Sequence, residues 1–259
     1  MDGILRMIRI SYYSFKSMFL FLSPLAYLTV LILSPLFSLV FFTLIAKDAF
    51  GSNADLRVNI IGNAIILCYV SCFFNIGNMW IEERNFGTLK LAISSTMSIF
   101  TMIIAKGVLF IVNGLITVFF GLFVGKLLFG LNVEITLGLI AGILLGVLSV
   151  AAMGCFVGAI GLLTRDANLI LNIWNMIFMA LCGINFPTSR LPIFFQNISN
   201  FLPLKHSMNA ITQLLQGNND ISEMLLFEAG ICLMYIILTY ISLKIFEKIS
   251  LIYATLEFY

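Results

Sequence analysis

Long apolar stretches that contain no charged residue are the feature that most restricts how this chain can fold. About 20 apolar residues in a helix cover the roughly 30 Å of a bilayer's hydrocarbon core. The apolar, charge-free stretches are Ser17–Ala46, Val58–Ile81, Gly107–Gly125, Ile135–Thr164, Ala167–Ser189 and Ala229–Leu243. Only 10% of the 259 residues are charged, whereas roughly a quarter are charged in soluble domains. The sequence therefore predicts an integral membrane protein.

The stretches predict an all-α fold of six transmembrane helices in a single domain, residues 1–259. The expected spans are 23–46, 58–82, 100–125, 136–163, 168–185 and 225–246. The sixth stretch is the shortest. It reaches the length of a span only when Glu228 or Lys244 lies at the membrane interface.

The distribution of Lys and Arg predicts the orientation. An even number of spans places both termini on one side. With the termini inside, nine basic residues are cytoplasmic: Arg6, Arg9, Lys16, Arg84, Lys90, Lys106, Arg165, Lys244 and Lys248. Five are external: Lys47, Arg57, Lys126, Arg190 and Lys205. Because cytoplasmic connections carry the excess of basic residues, the pattern favours a multi-pass cell-membrane protein with both termini in the cytoplasm.

Three segments outside the spans are expected to form further helical structure. Basic and aromatic residues alternate over residues 6–19, which indicates an N-terminal amphipathic interfacial helix rather than a cleavable signal. The inner segment Glu82–Ser98 is amphipathic and too polar to span. The outer segment Asn185–Glu223 holds three of the five prolines, and its apolar middle, Leu191–Leu202, is too short to cross. We expect a re-entrant or interface-lying helix there.

Glycines recur at fixed spacing in two spans. In the fourth span they form an i+4 row that is broken only by Val150: Gly138, Gly142, Gly146, Gly154 and Gly158. In the third span they recur every seven residues: Gly107, Gly114 and Gly121. Small residues let a neighbouring backbone approach closely, which is how helices gain packing energy in lipid. Both rows therefore predict helix–helix interfaces.

Residues suited to catalysis or to cofactor binding are scarce. The single His, His206, lies outside the expected spans, which does not support a zinc site or a His-based dyad. The nearest match to a phosphate-binding loop, Gly121–Lys126, has one spacer residue too few and no Ser or Thr after the Lys. We therefore expect no catalytic residue, no metal and no cofactor on this chain. The five Cys lie in apolar stretches and are interpreted as buried thiols.

Charge also excludes some functions. A net charge of +2 with scattered basic residues does not indicate nucleic acid binding. The central parts of the spans lack Asp and Glu, which argues against coupling to protons or Na⁺. Lys106, the most inward charge, is expected to snorkel to the interface.

Asparagines form polar rows on two of the expected spans. Asn168, Asn172 and Asn175 share one face of the fifth span, and Asn75 and Asn78 share a face of the second. One interpretation is interhelical hydrogen bonding, at about 1 kcal/mol or less for each contact. The other is a polar lining along a substrate path. The sequence leaves both open.

Two motifs resemble those of a transporter family. After the second span, ERNFGTLKL at residues 83–91 resembles the E-R-x-x-G-T-L-x-x coupling-helix motif of ABC-2 type ABC-transporter permeases. After the fifth, GINFP at 183–187, with LP at 191–192 and FLPL at 201–204, is similar to the family's G-x-x-F-P…L-P…P-L signature. The six-span frame extends the resemblance over nearly the whole chain. One departure is Thr96, where the family often has Pro before the third span.

The resemblance implies an exporter subunit whose ATP is hydrolysed on another chain. Its implied partners are ATP-binding cassette ATPase subunits, which carry ATP and Mg, and a second identical or homologous permease subunit. The residues implied for coupling are Glu83, Arg84, Gly87 and Thr88. Those implied for an external re-entrant gate are Gly183, Phe186, Pro187, Pro192 and Pro203. The second and fifth spans would line the path.

The expected cargo is amphipathic or lipophilic: an antibiotic or drug, a peptide or a lipid. A polysaccharide or lipid-linked glycan exporter is the alternative within the family, and a stand-alone channel or facilitator is the alternative outside it. A neighbouring gene for a P-loop ATPase would separate exporter from channel. Because Glu83 and Arg84 are expected to be exposed, replacing either with Ala should change stability by about 0–1 kcal/mol. Gly87 is expected to break the helix with a positive φ.

Overall fold

Apolar helices make up the regular structure of the described part of the chain. The computed structural model describes residues 29, 33–50, 56–88, 99–130, 136–164, 166–183, 191–218 and 220–253. The helices are α1 (Ser34–Phe50), α2 (Leu56–Asn85), α3 (Ile99–Phe129), α4 (Leu137–Leu162), α5 (Ala167–Leu181), α6 (Ile193–Ser199), α7 (Lys205–Leu215) and α8 (Ser222–Tyr253). The predicted all-α membrane fold is confirmed at this level.

Among the described residues, four helices are long and apolar enough to cross a bilayer. They are Ile60–Asn85, Phe100–Phe129, Leu137–Leu162 and Ser222–Ile249. These correspond to the second, third, fourth and sixth expected spans. The sixth was the shortest apolar stretch, yet it lies in the longest helix, since α8 has 32 residues.

The first and fifth expected spans are shorter in the described residues. The apolar part of α1 is Leu36–Ile45. Helix α5 has 15 residues, about 22 Å of helix against a core of roughly 30 Å. Six spans therefore remain a prediction. The expected N-terminal amphipathic helix and residues 89–98 of the coupling segment lie outside the described residues.

Helix α4 is the centre of the bundle, and its glycine row is the reason that two helices can approach it. A Cβ atom at Gly158 would lie 3.1 Å from the Cα of Gly77 in α2, and one at Gly154 would lie 3.2 Å from the carbonyl oxygen of Phe73. Further along the row, Gly142 and Gly146 face α7. The predicted interface is confirmed, and it is divided between two partners.

The glycines of α3 pack against α2 in part. Gly114 faces Cys72, and a Cβ at Gly121 would lie 3.3 Å from the Cα of Ala64. Gly107 has no atom within 4 Å of such a position among the described residues. The row of seven-residue spacing is thus an interface at two of its three positions.

Helix α5 is held against α2 by an aromatic stack. The rings of Tyr69 and Phe178 are nearly parallel with centroids 3.6 Å apart, and the ring of Phe73 also stacks with Tyr69, with centroids 5.2 Å apart. All three side chains are fully buried. Leu171 of α5 lies over Gly77, where a side chain would collide with it.

Helix α7 runs antiparallel to α4. Its first turn, at Leu204, lies beside Gly146, and its last turn, at Leu214, lies beside Gly138. Ile221, just before α8, also meets Gly138. The chain therefore starts α7 beside the middle of α4 and returns to the end of the bundle where α4 and α8 begin.

Candidate functional site

The coupling-type motif ends α2 with a glycine-dependent break. The α-helical pattern stops at Asn85, and Gly87 has φ +69°, a conformation that disfavours a side chain. The amide of Gly87 donates to the carbonyl of Arg84, which closes the last turn. The hydroxyl of Thr88 points back and donates to the Glu83 carboxylate at 2.5 Å. The expected positive φ at Gly87 is confirmed.

Glu83 is tied to α3. Its carboxylate forms an ion pair and hydrogen bond with the ammonium of Lys106. The exposed fractions of the two side chains are 19% for Glu83 and 12% for Lys106. The Lys106 ammonium therefore meets a carboxylate at the end of α2. Its expected snorkelling to the membrane interface stays a prediction.

Arg84 is tied to the connection between α4 and α5. One guanidinium nitrogen, Nη1, donates to the carbonyl oxygen of Thr164 at 2.8 Å. That carbonyl lies past the end of α4, where helical carbonyls have no partner within the helix. The Thr164 hydroxyl is used within its own turn and donates to Gly161.

These contacts define a coupling cluster, made of Glu83, Arg84, Gly87, Thr88, Lys106 and Thr164. It joins the end of α2 to the start of α3 and to the α4–α5 turn. The expectation that Glu83 and Arg84 are freely exposed is wrong, since both side chains are partly buried by contacts within the chain. A displacement of this segment would therefore move three other helix ends.

The second motif surrounds the start of α6. Gly183 follows α5 with φ +77°, and Pro192 is the residue before α6, where proline's missing amide costs nothing. Pro203 is buried ahead of α7. Phe186 and Pro187 lie outside the described residues. The helix α6 lies within the expected segment Leu191–Leu202, and its re-entrant character remains a prediction.

A buried carboxylate lies at the junction of α4, α7 and α8. Glu228 of α8 has no exposed surface, and it accepts hydrogen bonds from the Ser149 hydroxyl and from the amides of Leu204 and Ser207. We call these four residues the outer junction. Sequence reasoning placed Glu228 only as a residue near the interface and missed this role.

Two basic residues of α7 have partners close by. The ammonium of Lys205 donates to the Ser199 hydroxyl at 2.6 Å and to Asn200 Oδ1 at 2.7 Å. Its burial lowers the pKa of the Lys205 side chain. His206 stacks on the ring of Phe227, with centroids 5.6 Å apart.

Comparison with known families identifies the architecture. The sequence profile of a family described as ABC-2 family transporter protein matches residues 50–244, which is more than half of the chain. The chain belongs to the ABC-2 transporter family. A comparison with curated proteins gives no match.

Within this ABC-2 protein, the asparagine rows lie on α2 and α5, two helices that contact each other. Asn168 and Asn172 are exposed, and the Asn172 amide donates to the carbonyl of Asn168 in its own helix. Asn175 Oδ1 is buried without a hydrogen-bond partner among the described residues. Asn75 and Asn78 are half-buried. Because they are exposed, Asn168 and Asn172 do not form hydrogen bonds between helices within one copy of the chain. The interpretation that they line a substrate path therefore stays open.

The remaining polar chemistry of this ABC-2 protein is sparse. Among the described residues, no group of three or more His, Cys, Asp or Glu side chains is placed to share a metal ion. All five Cys are free thiols. Cys68 and Cys72 lie one turn apart in α2 with their sulfurs at 3.9 Å, and Cys72 donates to the carbonyl of Phe110.

Proposed function

We propose that this ABC-2 protein is the permease subunit of an ATP-driven exporter whose ATP is hydrolysed on a separate subunit. The observation that carries the proposal is the coupling cluster. A segment with the family's coupling motif leaves α2 at Gly87, and its charged residues connect to α3 and to the α4–α5 turn. A partner that pushes on this segment would act on several helices together.

The orientation follows from the basic residues. Placing the coupling cluster in the cytoplasm gives nine basic residues inside and five outside, the bias seen in multi-pass proteins of the cell membrane. Both termini are then cytoplasmic. The ATP-binding cassette ATPase subunits, with ATP and Mg, would dock on this side.

A second permease subunit, identical or homologous, would complete the path. Helix α5 supports this, because its exposed face combines large apolar residues with exposed asparagines. The exposed members include Asn168, Leu169, Asn172, Ile173, Met176 and Ile177. A face of this mixed character suits an amphipathic or lipophilic cargo, such as a drug, a peptide or a lipid, better than a purely polar one.

The proposal is tested by purifying the chain alone and together with a P-loop ATPase encoded by a neighbouring gene. We expect no ATP turnover from the chain alone. We expect a stable complex that hydrolyses ATP when the ATPase subunit is present. Turnover by the isolated chain, free of contaminating ATPase, would overturn the assignment, and so would failure to form a complex with any such ATPase.

A further inference from the structure

Helix α7 begins without a cap of its own. Its N-cap residue is Leu204, which has φ +71° and no side chain able to accept a hydrogen bond. The first amides of a helix have no partner within the helix, and Ser, Thr, Asp or Asn usually supplies one. The Ser207 hydroxyl is buried and has no partner among the described residues, so it does not supply one either.

Glu228 supplies the missing acceptor from another helix. Its Oε1 accepts the amide of Leu204 at 2.9 Å, and its Oε2 accepts the amide of Ser207 at 3.3 Å. The Ser149 hydroxyl of α4 also donates to Oε1. A carboxylate is favoured at a helix N-terminus, where the amide dipoles present positive charge. A buried charge without such donors would be costly, so the three groups must stay together.

The other contacts of α7 with α4 are apolar. A Cβ atom at Gly146 would lie 2.7 Å from the Leu204 side chain, and one at Gly142 would lie 3.1 Å from that of Ile211. Such contacts fix a distance but give little orientation. Among the described residues, the hydrogen bonds that join the first turn of α7 to α8 are those to Glu228. Lys205 bonds instead to Ser199 and Asn200, which lie just before α7 in the chain.

We propose that Glu228 is the positioning residue of the outer gate: it caps α7 from α8 and holds the first turn of α7 on α4. When the hydrogen bonds to Glu228 are lost, the start of α7 becomes free to move, while the apolar contacts between the last turns of α7 and α4 remain. Only the description of α7 as part of an outer gate rests on the proposed function and on the external gate that the family resemblance implies, whose residue Pro203 lies directly ahead of α7. The capping role stands on the geometry of the outer junction.

Substitution by Gln removes the negative charge and one of the two hydrogen-bond acceptors while nearly keeping the shape of the side chain. In Glu228→Gln, the amide oxygen can still accept the Leu204 amide and the Ser149 hydroxyl. The NH₂ group replaces Oε2, so a donor then faces the Ser207 amide, which is also a donor. Glu228→Asp keeps the charge on a side chain that is one methylene shorter, and it should retain part of the cap.

The test is hydrogen–deuterium exchange of the purified chain in nanodiscs, with no ATPase subunit and no nucleotide present. In Glu228→Gln we expect the peptide over residues 204–215 to exchange about tenfold faster, equivalent to about 1.4 kcal/mol. Glu228→Asp should fall between Glu228→Gln and the unmodified chain. Peptides from the core of α2 should be unchanged.

The control is Glu223→Gln, which removes an exposed carboxylate from the first turn of the same helix. It should leave exchange over 204–215 unchanged. Unaltered exchange in Glu228→Gln would overturn the proposal. Equal loss of protection in α2 and α7 would also overturn it, because Glu228 would then support the whole fold. If Glu228→Gln does not fold, the Glu228→Asp variant is used instead, and its exchange over residues 204–215 is compared with that in α2. Since the ATPase is absent, failure here is distinct from failure of the exporter assignment.

Discussion

The ion pair between Glu83 and Lys106 has a different energetic weight from an ordinary surface pair. Both side chains are less than one fifth exposed. Surface pairs contribute about 0–1 kcal/mol, while breaking a fully buried pair costs about 3–5 kcal/mol. A partly buried pair should lie between these limits, at about 1–3 kcal/mol. The coupling cluster therefore helps to hold the fold.

A double-mutant cycle with Glu83→Gln and Lys106→Met should measure this. We expect a coupling free energy above about 1 kcal/mol for unfolding by SDS titration in mixed micelles. The matched control is the pair Lys244–Glu247 in α8, where the exposed fractions are 57% and 27%. Its cycle should give about 0.2–0.5 kcal/mol. Equal coupling in the two cycles would show that burial adds nothing to the Glu83 pair.

The glycines of the α4 row differ in what an added side chain would meet: backbone atoms at one position and movable side chains at another. At Gly158 an added Cβ meets backbone atoms of Gly77 at 3.1 Å, and backbone cannot move aside without shifting a helix. At Gly138 it meets only the ends of the Ile221 and Leu214 side chains, which can rotate. The same substitution should therefore have different effects at the two positions.

We expect Gly158→Ala to destabilise the protein by about 1–3 kcal/mol, the usual effect of overfilling a tight contact. Gly138→Ala should cost less. The control is Gly230→Ala in α8. There, apart from the adjacent residues and backbone of the same helix, no atom of the described residues lies within 4 Å of the new methyl group, and the helix preference of Ala contributes up to about 1 kcal/mol in favour. The measurement is again SDS titration. A greater loss at Gly138 than at Gly158 would contradict the division into rigid and yielding neighbours.

The sequence could predict the elements whose signal is local. Charge-free length identified the long helices, and glycine spacing identified the faces of α4. Helix α7 was not predicted, although Leu204, Met208, Ile211 and Leu215 follow a helical spacing. In that outer segment a helix was expected only over the apolar middle, Leu191–Leu202. The hydrogen-bond partners of Glu83 and Glu228 could not be predicted from the sequence. They come from helices that are distant in sequence, and their positions depend on how the whole bundle packs.

At the scale of the whole molecule, α4 links the two polar clusters. The carbonyl of Thr164, just beyond the end of α4, accepts a hydrogen bond from Arg84. The hydroxyl of Ser149, near the middle of α4, donates one to Glu228. Ser149 and Thr164 are fifteen residue steps apart, which correspond to about 22 Å at the rise of an α-helix. Close contacts with α2 along this stretch keep α4 from bending locally. A shift imposed at the coupling cluster should therefore reach the outer junction as a rigid displacement.

This route predicts that a nucleotide bound to the ATPase subunit changes the exchange of α7, and that Arg84→Ala abolishes the change. The substitution removes one charge-assisted hydrogen bond, worth about 1.5–3 kcal/mol. Losing about 1.4 kcal/mol of differential contact energy shifts a conformational equilibrium tenfold. Arg84→Ala should still insert and bind its ATPase partner, because the other contacts of the coupling cluster remain.

The measurement is hydrogen–deuterium exchange over residues 204–215 in the reconstituted complex, with and without a non-hydrolysable ATP analogue. It needs no knowledge of the cargo. The control is Lys126→Ala, which removes an exposed charge from the last turn of α3. That variant should respond to nucleotide as the unmodified chain does. A full nucleotide response in Arg84→Ala would mean that the Arg84–Thr164 contact is not on the route, and that the signal reaches α7 through α2 and α3 instead.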